Sequence, residues 1–123
     1  MKVAAGDSWP CRCGPPLYRA PEILDATEAS PAFDPLKLDV WALGVMLFLL
    51  LTGRTPWPMK FGINEASFQL VIHGKLQSLL NAWRVHLSSP AVETLQALLR
   101  GDPTVRPTVA EVRQLPWFVS GGH

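Results

Sequence analysis

One stretch constrains this chain more than any other: Leu38-Asp39-Val40-Trp41-Ala42-Leu43-Gly44-Val45-Met46-Leu47-Phe48-Leu49-Leu50-Leu51. It is apolar at nearly every position and too long for an ordinary strand, so a helix is expected. A helix with no polar face needs neighbours on several sides, which places it in the middle of a core. Its most apolar part, Val40 to Leu51, is far shorter than the ~20 residues that span a bilayer. A buried helix is therefore expected rather than a membrane span. Asp39 stands near its start, where a carboxylate suits the positive helix end and can cap it. Gly44 costs about 1 kcal/mol of helix propensity against alanine, a cost that close approach of another backbone would justify. Gly53 followed by Pro56 and Pro58 ends the helix.

Shorter apolar stripes surround this segment. Pro21 can open a helical turn at Glu22-Ile23-Leu24-Asp25. Ser30-Pro31 and Asp34-Pro35 are turn signals. Glu65 to His73 forms a second helix, with Phe68, Val71 and Ile72 inward and Gly74 as its stop. Leu76, Leu79, Leu80 and Trp83 make a third stripe. Ser89 caps a fourth helix, with Pro90 in its first position and Val92, Leu95, Leu98 and Leu99 on its apolar face. Thr108-Val109-Ala110-Glu111 matches a capping box that opens a short last helix, ending before Pro116. The expectation is one mainly-α domain over residues 1–123, with about five helices around one buried apolar helix. Residues 1–12 are expected to be loop-like or poorly ordered, apart from a short strand at Lys2-Val3-Ala4.

Composition excludes several classes. Of 123 residues, 48% are hydrophobic and 17% charged, enough apolar surface to offset chain entropy, so the chain is not disordered. A formal net charge of +1 with no basic patch argues against a nucleic-acid partner. Cys11 and Cys13 form a lone C-x-C without a second ligand pair, and His73, His86 and His123 are remote, so zinc spacing is absent. A disulfide across one residue would be strained. Two reduced thiols and the lack of a signal peptide point to an intracellular, cytoplasmic protein with no membrane partner.

Three segments, in order, resemble the protein kinase family. Cys13-Gly14-Pro15-Pro16-Leu17-Tyr18-Arg19-Ala20-Pro21-Glu22 resembles the end of the activation segment, G-T-x-x-Y-x-A-P-E. Leu38 to Val45 followed by Leu51-Thr52-Gly53-Arg54-Thr55-Pro56-Trp57 resembles the central helix of the large lobe, D-x-W-x-x-G-V…T-G-x-x-P-F. Leu98-Leu99-Arg100-Gly101-Asp102-Pro103-Thr104-Val105-Arg106-Pro107-Thr108 resembles L-L-x-x-D-P-x-x-R-P-T, and Leu115-Pro116-Trp117-Phe118 resembles H-P-W-F. The serine/threonine-type context is similar to the calcium/calmodulin-dependent group. The fold implied is the helical part of a kinase large lobe.

The resemblance also implies roles. Glu22 would pair with Arg106, locking the substrate-binding loop to the last helices; otherwise the two are exposed charges that never meet. Asp39 would hold the catalytic-loop backbone in the intact family, or merely cap its own helix. Trp41 and Gly44 would be structural. Gly14, Pro15, Leu17 and Tyr18 would form the substrate loop, with Leu17 and Tyr18 lining a pocket for the residue after the phosphoacceptor. Pro15 stands where serine/threonine kinases carry a threonine, and proline supplies neither hydroxyl nor N–H.

Phosphoryl transfer also needs a glycine-rich loop, a strand lysine, a catalytic aspartate, and an asparagine and aspartate for magnesium. The sequence has no G-x-G-x-x-G, V-A-I-K, H-R-D-x-x-x-x-N or D-F-G. Met1-Lys2-Val3-Ala4-Ala5-Gly6 resembles K-V-A-D-F-G with the aspartate and phenylalanine gone, or is a chance K-V-A. The intact family uses ATP and magnesium for transfer to protein serine and threonine. This chain alone is expected to bind neither, to have no catalytic or metal-ligating residue, and to be inactive. The alternative is a non-catalytic kinase-like module that docks a protein through the substrate groove and the helix at Glu65 to Gly74.

Overall fold

Asp34 opens the longest element. In the computed structural model, which describes residues 16–24, 34–57 and 65–119, its backbone is extended and its Oδ1 accepts the Leu36 N–H at 3.0 Å. Pro35, with φ already near the helical value and no N–H to satisfy, takes the first helical position. This Asp-Pro pair corrects the expected start. The helix α2 runs Pro35–Thr52, and Asp39 lies a turn inside it, exposed, where it caps nothing. At the far end Gly53 adopts φ +74° and its N–H reaches the Leu49 carbonyl at 2.8 Å. The left-handed conformation there favours glycine.

The expectation that α2 is enclosed on every side is also corrected. Val40, Trp41, Gly44, Val45, Leu47 and Phe48 are buried, while Leu36, Leu43, Met46 and Leu50 are exposed. The reason is the placement of its neighbours. α5 (Ser89–Leu98) and a 3-10 turn at Pro16–Tyr18 pack against α2, and the other described helices extend that layer. By length and composition alone α2 could cross a membrane.

α3 (Ala66–Ile72) begins at Glu65, whose carboxylate accepts the Ser67 N–H at 3.0 Å. It buries Phe68 and Val71 and stops before Gly74 at φ +76°. α4 (Leu76–Ala82) buries Leu76, Leu79 and Leu80. α3 packs on α4, and α4 on α5. Ser88, not Ser89, caps α5: its Oγ accepts the Ala91 N–H at 3.3 Å, and Ser89 and Pro90 are the first two helical residues. Proline fits the second position because that N–H also lacks an intrahelical acceptor. α6 (Val109–Val112) carries the reciprocal capping box of Thr108 and Glu111. Two further four-residue helices, the same length as α6, occur among the described residues: α1 (Pro21–Leu24) and α7 (Pro116–Val119). α7 was not expected from the sequence. It is held by the Trp117 N–H donating to Thr94 Oγ1 at 2.9 Å and packs on α5. No strand occurs among the described residues. The strand expected at Lys2-Val3-Ala4 and the loop expected over 1–12 lie outside them.

The core centres on aromatic contacts. Trp41 stacks on Trp57 with centroids 5.8 Å apart, and Phe68 meets Trp57 edge-on at 4.8 Å. Gly44 is where α5 comes closest. A Cβ there would lie 2.7 Å from Leu99 Cδ2 and 2.9 Å from Leu98 Cβ. Side chains rather than a backbone therefore fill the space, Leu98 from the last position of α5 and Leu99 from its cap. Gly44→Val should destabilise the chain by ~2–3 kcal/mol through overpacking, despite removing a helix glycine. Urea unfolding followed by circular dichroism measures this; unchanged stability would mean that the two helices are not in close contact.

Candidate functional site

The turn that leads into α1 is fixed from below. Leu17 is buried among the core residues, and its carbonyl accepts the Trp57 Nε1–H at 3.1 Å. Tyr18 is half-buried against the same core. Leu17 is thus taken up in packing, and Tyr18 is the one of the two with substantial exposed surface. Gly14 and Pro15 lie outside the described residues. The Ile23 N–H donates to the Ala20 carbonyl at 3.0 Å, so Pro21 begins a tight helical turn that presents Glu22 inward.

Eighty-four positions along the chain, Arg106 meets it. Local chemistry sets up the arginine. Asp102 Oδ1 accepts the Thr104 N–H at 2.9 Å and the Thr104 hydroxyl at 2.7 Å, which starts the 3-10 turn Pro103–Val105. These two bonds hold the Asp102 carboxyl below its ordinary value, the hydroxyl contributing most. The chain leaves the turn extended at Arg106 and aims its side chain into the interior.

The guanidinium is then saturated. Nη2 donates to Glu22 Oε1 at 2.6 Å and Nη1 to Glu22 Oε2 at 2.8 Å, a bidentate pair. Nη1 also donates to the Lys37 carbonyl at 3.0 Å, Nε to the Arg100 carbonyl at 2.8 Å, and Nη2 to the Gly101 carbonyl at 3.5 Å. A guanidinium has five N–H donors, and these five contacts match them. Lys37 returns the contact, its Nζ donating to the Arg106 carbonyl at 2.5 Å. The arginine side chain is fully buried and its partner nearly so. Trp41 lies under the cation, with 5.2 Å from Cζ to the ring centroid. The Trp41 indole N–H is buried and has no acceptor among the described residues, at a cost of ~1–3 kcal/mol. The large apolar contact of its ring offsets that cost.

The structure therefore brings together Glu22, Arg106 and Trp41, and adds Lys37, which sequence reasoning did not single out. The signal was present only as a lysine in the first turn of α2; its carbonyl and ammonium meet Arg106 through tertiary placement. Asp39 is not brought to this cluster. Gly44 lies further along α2, against α5. Among the described residues no group of three or more His, Cys, Asp or Glu could hold a metal ion.

The chain is similar to known proteins. The sequence matches the protein kinase domain model over residues 2–118. The chain belongs to the protein kinase family. It is 31% identical over 117 residues to a hormonally up-regulated neu tumor-associated kinase homolog of Xenopus laevis, covering 95% of this chain and 16% of that protein. It is 35% identical over 106 residues to the probable serine/threonine-protein kinase MARK-C of Dictyostelium discoideum, covering 85% of this chain and 12% of that one. Among solved structures it is similar to Rad53 1-466 in complex with AMP-PNP, with TM-score 0.60 and 27% identity over 86% of this chain and 26% of the other. A structure of the Rad53 kinase domain with AMPPNP aligns at TM-score 0.57, covering 83% of this chain and 37% of that one. This kinase-domain segment thus spans a small part of each relative, and its mainly helical architecture agrees with the expected part of the large lobe.

Arg106→Met should destabilise the chain by ~3–5 kcal/mol, because Glu22 is left as a nearly buried, unpaired charge. Exposed Arg113→Ala should change stability by less than ~0.5 kcal/mol. Thermal unfolding of the two variants provides the comparison, and equal melting temperatures would mean that the Arg106 network contributes nothing.

Acid should weaken the α6 cap. The Thr108 N–H donates to Glu111 Oε1 at 2.8 Å, and this bond, with a smaller contribution from the Thr108 hydroxyl, lowers the Glu111 carboxyl from its ordinary 4.5. A carboxyl depressed in the folded state stabilises above its unfolded value, and the contribution is lost as pH falls through the folded value. The difference in urea midpoint between the native chain and Glu111→Gln should be full near neutrality and shrink below the ordinary carboxylate range. A difference independent of pH would rule the cap out as its source.

Proposed function

We propose that this chain is the rear scaffold of a serine/threonine protein kinase domain and does not itself bind ATP or transfer phosphate. The observation that carries the proposal is the Arg106 network. All five guanidinium contacts go to α1, the start of α2 and the segment after α5. That arrangement fastens the turn before α1, where the family binds its peptide substrate, to the helical body. It stabilises a peptide-binding surface and offers no group for phosphate or magnesium.

The sequence supports the second half of the proposal. Phosphate-covering, phosphate-holding and magnesium-holding motifs are all missing from the 123 residues. In the intact family these parts carry out ATP-dependent transfer to serine or threonine, and nothing in the Glu22–Arg106 arrangement replaces them. Pro15 in place of the family's threonine removes a hydroxyl that would contact the catalytic aspartate. The setting proposed is intracellular, where ATP and protein substrates are available, with no nucleic-acid or membrane partner.

A second reading has its own observation. α3 borders a shallow, mainly apolar cleft lined by Ala66, Gln69, Leu70, His73 and Lys75. Such a face suits docking of a protein without any chemistry. The coding sequence upstream of Met1 separates the two: an open frame with V-A-I-K, H-R-D and D-F-G favours a kinase domain, and its lack favours a docking module.

Calorimetry with Mg-ATP tests the lack of nucleotide binding. No saturable heat should appear at micromolar ATP. A stoichiometric, saturable signal in that range would overturn the proposal.

A further inference from the structure

We propose that Trp57 is a positioning residue for the turn before α1: its indole N–H fixes the Leu17 carbonyl, so that the surface around Tyr18 is held in one shape before any peptide meets it. The inference rests on the reading that this turn faces a peptide. It starts from a deficit in local chemistry. Pro15, Pro16 and Pro21 surround Leu17, and none has an N–H. A helix continuing from Leu17 would bring the amide of residue 21 to the Leu17 carbonyl, since that bond spans four residues. Residue 21 is proline, so the bond cannot form. Leu17 is 3% exposed, and a buried carbonyl needs a donor from elsewhere.

Trp57 supplies that donor from 40 positions away, its Nε1–H reaching the carbonyl oxygen at 3.1 Å. The indole has little freedom to point elsewhere. It is 2% exposed, stacks on Trp41 with 5.8 Å between centroids and 19° between planes, and meets Phe68 edge-on at 4.8 Å. Clamped in this way, the N–H is a fixed donor rather than one that must be ordered at each encounter. The residue type is informative because the motif this segment resembles, T-G-x-x-P-F, ends in phenylalanine. A phenylalanine can fill core space but has no hydrogen to donate, whereas the indole Nε1–H is a donor. Packing needs a ring at residue 57; only the bond to Leu17 needs an indole N–H.

The bond acts through Leu17 on its neighbour. Leu17 is drawn into the core, and half-buried Tyr18 keeps surface on the outside. Glu22 is fastened separately by Arg106, so there is one anchor on each side of Pro21. Losing the first would free Leu17 and Tyr18 while the second still holds α1. A preformed surface binds its peptide without first being ordered, a cost that is otherwise taken from affinity.

Tyr18 is the sole tyrosine of the 123 residues, so meta-fluorotyrosine labels this turn alone, and fluorine NMR of the full chain reads it. Trp57→Phe keeps a ring in the core and removes the donor. Its Tyr18 signal should shift from the native position towards the position seen in urea, without denaturant and with the helical circular dichroism retained. Phe68→Leu loosens the same aromatic cluster but leaves the indole N–H in place. It should lower the urea midpoint and leave the Tyr18 signal where it is. An unmoved signal in Trp57→Phe would overturn the proposal, and so would an equal shift in Phe68→Leu, which would reduce Trp57 to a packing residue. If Trp57→Phe fails to fold, a benzothienyl analogue at residue 57, with sulfur in place of the N–H, keeps the shape of the indole and decides by the same shift. Calorimetry with Mg-ATP on the same samples keeps the two readings apart. ATP binding would overturn the proposed function and leave the Tyr18 result standing, whereas an unmoved signal overturns only the role of Trp57.

Discussion

The bidentate bond between Arg106 and Glu22 is the interaction on which the rest of the structure depends. It joins two segments that neighbour each other only in space, and the same guanidinium also satisfies the carbonyls of Lys37, Arg100 and Gly101. A buried cation is tolerated because its donors are used up and its charge is paired, with an indole face beneath it. Such a cluster adds little net stability compared with a well-packed apolar one. Its value is geometric, since only one arrangement of α1, α2 and the loop after α5 satisfies every partner.

Packing follows from that point. Trp41 lies between the cation and the Trp57–Phe68 pair, so the polar cluster and the aromatic core share a wall. Trp57 in turn holds the Leu17 carbonyl, which returns the chain to the turn before α1. The turn before α1 is thus held from two directions, by an ion pair behind it and by an indole N–H beneath it. Gly44 lets α5 approach α2 closely enough to close the remaining side of this core. On the other side of α2, Leu36, Leu43, Met46 and Leu50 are exposed.

Much of this was legible in the residues. Proline, glycine and capping residues mark helix ends by local chemistry: α3 begins and ends, and α6 begins, close to where those signals fall. The capping box at Thr108 needs only four residues to specify it. The errors have local causes too. Asp39 and Asp34 are both acceptable caps, and the proline after Asp34 decides between them. Ser88 and Ser89 compete in the same way, and Pro90 is compatible with either register. α7 was missed because its four residues carry no period; it exists through its contact with α5 and the Thr94 hydroxyl.

By itself, then, the sequence determined where helices can start and stop, that one helix lacks a polar face, and which family the three ordered motifs resemble. These depend on neighbours a few residues apart, where capping, φ restriction and helical period operate. Tertiary structure alone decided which face of α2 is covered, that Leu17 is spent in the core while Tyr18 keeps exposed surface, and that Lys37 joins Arg106. Those outcomes turn on the directions in which distant elements approach one another. An apolar residue has the same hydrophobicity whether or not a neighbour covers it, and a lysine has the same charge wherever its ammonium points, so neither choice is written in local chemistry.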